Sequence, residues 1–181
     1  MQSLLYLRMV KLSSKPKSDL LPRHPDYTLV KLVLEADYGA VGLYKHKITR
    51  EKRLFYHCNS SDFLTNISRQ LDVDDALFVD GDFGDWIHIL SKGTLYRRSI
   101  VDDDIEEICP RVKKIFITRM FDEYLLEEDK RLTKLLDDDP VEVKVLEINV
   151  SQVKLDKREH LVGIVGGKRF DIDVGTTSPN S

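Results

Sequence analysis

The clearest pattern of apolar and polar positions in this chain runs from Val112 to Val150. Residues 112–117 are rich in β-branched and aromatic side chains, which favours a strand. Residues 141–150 alternate apolar and polar side chains, the period of a half-buried strand. Between them, apolar residues recur at helical spacing, which predicts a helix over 120–136 that ends before Pro140. The stretch therefore predicts strand, helix and strand.

The rest of the chain reads mostly as short strands joined by turns. Runs at 27–36, 40–44 and 53–57 predict an antiparallel meander, and apolar residues at helical spacing predict a helix over 63–71. Acidic residues that open 102–108 predict a helical turn there. The whole pattern predicts an α+β fold: a mostly antiparallel sheet of meanders and hairpins with two or three helices, the longest near 120–136.

Near the end of the chain, residues 160–165 and 168–174 predict a hairpin, because Gly166 and Gly167 suit the turn that matches strand twist. Proline and small polar residues before Tyr27 predict a flexible basic arm over 1–26. Residues 175–181 predict a disordered tail. One α+β domain is therefore expected over 27–174.

Composition places the chain among globular proteins, with 41% hydrophobic and 33% charged residues in 181. Cys58 and Cys109 form no secreted disulfide pattern, which favours a reducing, intracellular compartment, cytoplasmic or alternatively nuclear. No apolar run reaches the roughly 18 residues of a membrane helix, so no transmembrane segment is predicted.

The net charge of −3 is distributed unevenly. The N-terminal arm is basic through Lys11, Lys15, Lys17 and Arg23, whereas residues 72–109 are rich in acids. Opposite charges of this kind predict attraction between copies of the chain or to a protein partner. Solvated faces of an ordinary domain explain the same pattern.

An acidic loop offers a candidate metal site at Asp80, Asp82 and Asp85. Carboxylates are the ligands that calcium and magnesium prefer, and such a site would suit a metal-dependent hydrolase. The spacing departs from the EF-hand pattern, and Asp and Gly are also common turn residues, so a turn between strands is the alternative interpretation.

A second candidate is a surface of aromatic and basic residues: Trp86, Tyr96, Arg97 and Arg98. Aromatic rings beside cations bind single-stranded nucleic acids. Packing of the same rings in a core is the alternative.

The neighbours His57, Cys58 and Asn59 resemble parts of a cysteine-nucleophile site, but consecutive strand residues point to opposite faces. The sequence therefore assembles no nucleophile with its base, predicts no enzyme and no cofactor, and names no catalytic residue.

From Asp75 to Leu132 the order of short strands, with Gly93-Thr-Leu-Tyr-Arg-Arg98 followed by Lys114-Ile-Phe-Ile-Thr-Arg-Met-Phe-Asp-Glu-Tyr124, resembles a Tudor-type barrel. The resemblance implies a methyl-ligand or peptide-binding module with an aromatic cage, and it transfers no individual cage residue.

Together these observations predict a non-enzymatic binding or assembly protein of the structural, viral accessory or adaptor type. It would act through contacts with itself or with a protein partner. Nucleic-acid binding, a Tudor-like module and a metal-dependent hydrolase are the alternatives.

Overall fold

A computed structural model describes residues 21–61, 63–81, 84–100, 104–118, 122–136, 139–146 and 148–172. Within these ranges the chain forms strands joined by turns, with one short 3₁₀ turn at Val150–Gln152 and no α-helix. The strands are β1 Tyr27–Ala36, β2 Gly39–His46, β3 Lys52–Cys58, β4 Leu64–Asn66, β5 Asp75–Gly81, β6 Gly84–Ser91, β7 Thr94–Ser99, β8 Ile105–Pro110, β9 Val112–Ile117, β10 Glu123–Glu127, β11 Arg131–Leu136, β12 Asp139–Val145, β13 Val153–Leu155, β14 Leu161–Val165 and β15 Lys168–Asp171.

The chain divides into two compact units between Val73 and Asp74. The first unit contains sheet A, in which β1, β2, β3 and β4 pair antiparallel in chain order. One face of sheet A carries a core of Ala40, Tyr44, Phe55 and Leu21, the last contributed by the segment before β1.

The second unit contains three sheets of consecutive antiparallel strands: sheet B (β5–β8), sheet C (β9–β12) and sheet D (β13–β15). Sheets B and C share a core that includes Leu95 and Leu125. Sheets C and D share another that includes Leu126 and Leu161. Sheet C is therefore covered on both faces, and each sheet repeats the same meander.

The predicted α+β class is wrong, because the described residues are almost entirely strand. The described part of the helix predicted over 120–136 is a hairpin of β10 and β11, in which Leu125 pairs with Thr133 and Leu126 with Leu132. A strand covered on both faces carries apolar residues at consecutive positions instead of alternating ones. The apolar residues therefore recur at helical spacing because two such strands follow one another with a short turn between them. In that turn Lys130 has a φ of 70°.

The two shorter helices are also wrong. In the stretch 63–71, Leu64–Asn66 forms β4, and Ile67 then donates its backbone N–H to the carbonyl oxygen of Leu54 at 2.9 Å. Pairing with β3 supplies the hydrogen bonds that a helix would otherwise make. Of the turn predicted over 102–108, the described part enters β8, which pairs with β7.

The predicted strands of the first meander and the predicted C-terminal hairpin are present. Gly166 and Gly167 both have positive φ, at 55° and 78°, as the primed turn requires. The stretch that resembles a Tudor-type barrel divides between sheet B and sheet C.

Of the predicted flexible arm, the structure describes residues 21–26, where Leu21 is buried in the core of sheet A. Residues 1–20 and the tail 175–181 lie outside the described residues. The single-domain assignment and its boundaries stay predictions.

Candidate binding site

The predicted aromatic and basic residues of sheet B do not share one face. Trp86 and Arg97 lie together, with the guanidinium carbon 4.6 Å from the ring centroid of Trp86. Arg97 also contacts Glu106 at 2.7 Å. Tyr96 and Arg98 alternate with Arg97 along β7, which turns Arg98 to the opposite face, where it is buried. The structure therefore places Trp86 beside Arg97 on one face of sheet B and directs Tyr96 and Arg98 to the other face.

Two of the predicted metal residues, Asp80 and Asp85, lie in β5 and β6, where their backbones pair with each other. Asp82 lies outside the described residues. Within the ranges that the structure describes, no group of three or more His, Cys, Asp or Glu side chains is placed to hold a metal ion.

The first unit holds a cluster of aromatic rings that the sequence patterns did not indicate. Tyr27 lies at its centre, with ring centroids 4.8 Å from His24, 4.8 Å from His46 and 5.1 Å from Phe55. Phe55 in turn packs against Tyr44 at 5.3 Å. Because these rings meet mostly edge to face, they fix one another's orientation.

The two histidines of the cluster are held through the same nitrogen. His24 Nδ1 accepts a hydrogen bond from the backbone N–H of Asp26 at 3.1 Å. His46 Nδ1 accepts one from the backbone N–H of Thr49 at 3.0 Å. An accepting Nδ1 places the ring proton of neutral histidine on Nε2. Each histidine therefore carries a donor at Nε2 and is a poor metal ligand in this arrangement.

The segment before β1 is fastened to sheet A by polar contacts. The Tyr44 hydroxyl donates to the carbonyl oxygen of Pro22 at 3.2 Å, and the Lys47 ammonium donates to that of Pro25. The backbone N–H of Lys47 donates to the carbonyl oxygen of Asp26 at 2.9 Å. Burial raises the pKa of Tyr44 to about 12, so its hydroxyl remains a donor to higher pH than that of an exposed tyrosine.

Close packing over Gly42 completes this fastening. A Cβ at Gly42 would lie 2.7 Å from carbon atoms of Leu21, Leu29 and Tyr44. Glycine therefore gives Leu21 the space to lie directly on β2, which positions the residues that follow it.

Two clefts open beside β1. The first, called the aromatic cleft, has a volume of about 390 Å³, and its lining includes Arg23, His24, Tyr27, Leu29, Tyr44 and Lys47. The second, called the basic cleft, has a volume of about 290 Å³ and is lined by Thr28, Val30, Lys45, His46, Lys47 and Arg50. Thr28 and Lys47 belong to both, so the two clefts adjoin.

The clefts are cationic. Four lysine or arginine side chains line them, and no carboxylate does so among the described residues. Arg23, which the sequence assigned to the basic arm, lies in the aromatic cleft. Lys11, Lys15 and Lys17 lie outside the described residues. The arrangement suits an anionic ligand that is long enough to reach both clefts.

Sequence reasoning missed this site, although one signal was present. The run from Lys45 to Arg50 carries three lysine or arginine side chains, but nothing local to it predicts a cleft. This run lines the basic cleft because Thr28 pairs with Lys45, which brings β1 beside it.

The remaining candidate group, Cys58, lies at the end of β3. Its Sγ atom is 3.0 Å from the Ser60 hydroxyl oxygen, and this hydrogen bond lowers the pKa of the Cys58 thiol. Nδ1 of the neighbouring His57 is buried and has no hydrogen-bond partner among the described residues. Among the described residues, no hydrogen bond joins His57 to the Cys58 thiol.

No protein family, curated protein or solved structure matched this chain in the comparisons. Among the described residues there is also no helix long and apolar enough to cross a bilayer.

Proposed function

We propose that the protein is a non-enzymatic binding protein whose first unit binds an acidic segment of a protein partner in the aromatic and basic clefts. The supporting observation is their charge: Lys45, Lys47 and Arg50 line the basic cleft without a carboxylate among its described lining residues. A cationic surface of this kind attracts acidic partners and disfavours basic ones.

The arrangement of the rings favours a peptide over a nucleic acid. Tyr27 meets His24 at an interplanar angle of 84° and His46 at 78°. Stacked bases need an open ring face. In this cluster the two histidine rings stand nearly perpendicular to Tyr27 at centroid distances of 4.8 Å, so the rings are not arranged as a parallel stacking platform. Histidine Nε2–H groups and lysine ammonium groups suit carboxylates.

The experiment measures fluorescence anisotropy of a dye-labelled peptide with central glutamates and neutral Gly/Ser flanks. A peptide of the same length with lysines in place of the glutamates serves as the ligand control. The protein variant is Lys45→Glu with Arg50→Glu. The matched control is Lys154→Glu with Arg158→Glu, two exposed positions in the second unit.

We expect the acidic peptide to bind and the basic peptide not to bind. The cleft variant should bind the acidic peptide about tenfold more weakly, because reversing two exposed charges removes attraction and adds repulsion of up to about 1 kcal/mol for each pair. The control variant should bind like the unmodified protein, and raising the salt concentration should weaken binding.

Equal binding of both peptides, or an unchanged affinity in the cleft variant, would contradict the proposal. A single-stranded oligonucleotide that binds in place of the acidic peptide, and loses affinity in the cleft variant, would assign the site to nucleic acid instead. Sedimentation of the protein alone distinguishes a second copy as the occupant, since self-association should then be lost in the cleft variant.

A further inference from the structure

β1 lies at the edge of sheet A. The strand order places β2 on one side of it and no described strand on the other. At ten residues, Tyr27–Ala36 is long for an edge strand. An edge strand presents backbone donors and acceptors that can pair with another extended segment.

The pairing of β1 with β2 shows which backbone groups face that edge. Lys47 donates its backbone N–H to the carbonyl oxygen of Asp26, so Asp26 and Lys47 form a hydrogen-bonded pair. Hydrogen-bonded and non-hydrogen-bonded pairs alternate along an antiparallel ladder. The backbone groups of Thr28 therefore pair with β2, whereas Tyr27 and Leu29 direct their N–H and C=O groups to the side of β1 on which no described strand lies.

The side chains of β1 contribute to both clefts. Tyr27 and Leu29 line the aromatic cleft, Val30 lines the basic cleft, and Thr28 lines both. Successive side chains of a strand point to opposite faces of its sheet. The side chains of Tyr27 and Leu29 therefore point to one face of sheet A and those of Thr28 and Val30 to the other, and the two clefts adjoin along β1.

We propose that the acidic segment binds as an added strand along the edge of β1, with its backbone paired to Tyr27 and Leu29 and its acidic side chains entering the two clefts alternately. This inference rests on the proposed function and specifies its geometry. An added strand directs alternate side chains to opposite faces, and here both faces offer cations. Acidic residues at consecutive positions of the partner strand therefore each meet a lysine or arginine side chain of one of the two clefts.

The irregularity of β1 limits how far the pairing extends. Its register with β2 shifts between Leu29 and Lys31 and again between Leu32 and Leu34. Bulges bend a strand and interrupt its ladder, and they protect edges from continued pairing. The partner strand is thus short and centred on the first residues of β1.

The test uses the acidic peptide described above in two N-methylated forms. One carries methyl groups on the backbone nitrogens of its central residues, and the other carries the same number on its Gly/Ser flanks. N-methylation removes the N–H donor and leaves every side-chain charge unchanged. Hydrogen exchange of the Tyr27 and Leu29 amides, followed by NMR, reports the protein side of the same pairing.

We expect central methylation to weaken binding about tenfold and flank methylation to leave it nearly unchanged. Exchange at Tyr27 and Leu29 should slow when the unmodified peptide binds. If the peptide binds but central methylation has no effect and exchange at both amides is unchanged, the added strand is ruled out and the acidic-partner proposal stands. If the unmodified peptide does not bind, both proposals fail.

Discussion

His88 Nδ1 lies 2.6 Å from Glu123 Oε1, and the two side chains are only 3% and 6% exposed. His88 belongs to β6 and Glu123 to β10, so the contact joins sheet B to sheet C. Removing one member of a buried pair leaves the other without its partner in a medium of low polarity.

We therefore expect Glu123→Ala to lower the free energy of unfolding by about 3 kcal/mol. Urea unfolding followed by Trp86 fluorescence measures this loss. The control is Glu128→Ala, which removes an exposed ion pair with Lys113 of 2.7 Å and should cost less than about 1 kcal/mol. Similar losses of unfolding free energy in the two variants would show that the buried contact stabilises the fold no more than an exposed ion pair does.

Gly42→Ala should destabilise the first unit by about 1–3 kcal/mol, because the new methyl group would overlap Leu21, Leu29 and Tyr44. Chemical denaturation measures the change. In a background of Leu21→Ala the penalty should shrink, since one of the three obstructing side chains is then gone. A penalty of the same size in both backgrounds would mean that Leu21 does not lie on Gly42.

Cys58 should react with iodoacetamide faster than Cys109 near neutral pH. The hydrogen bond from the Ser60 hydroxyl lowers the pKa of Cys58, whereas burial raises the pKa of Cys109. Thiolate is the reacting form, so Ser60→Ala should shift the pH–rate profile of Cys58 to higher pH. The profile is measured in a Cys109→Ser background. A profile that Ser60→Ala leaves in place would contradict this assignment.

The stability of the first unit should fall as the pH rises from about 10 to about 12. The folded-state pKa of Tyr44 is raised from 10.0 to about 12, so between these values the unfolded chain loses the proton while the folded chain keeps it. Tyr44→Phe should remove this contribution to the pH dependence. It should also cost roughly 1 kcal/mol at neutral pH through the lost hydrogen bond to Pro22. Denaturation at several pH values tests both effects, and an unchanged slope in the variant would exclude Tyr44 as its source.

The sequence predicted the elements whose signals are local. The hairpin around Gly166 and Gly167 and the meander of β1 to β3 depend on turn residues and on β-branched runs. The α+β prediction was wrong at β10 and β11 because hydrophobic cores on both sides of sheet C determine their apolar pattern. The spacing of apolar residues along the chain does not show that a strand is covered on both faces.

The candidate site was missed for a related reason. Arg23 and Tyr27 come from one stretch of chain and Lys47 from another, and the two meet through the register of β1 with β2. A sequence shows whether a residue is charged or aromatic, but it does not show which strand lies next to that residue in the sheet. The basic character of the arm before Tyr27 was visible, whereas its packing through Leu21 required the position of Gly42.

Sheet C separates two hydrophobic cores, one on each of its faces. Leu125 and Leu126 are neighbours in the chain, yet one belongs to the core shared with sheet B and the other to the core shared with sheet D. Among the described residues, the two clusters to which they belong share no member. Truncations at these two positions should therefore add like those of distant residues, although a peptide bond joins them.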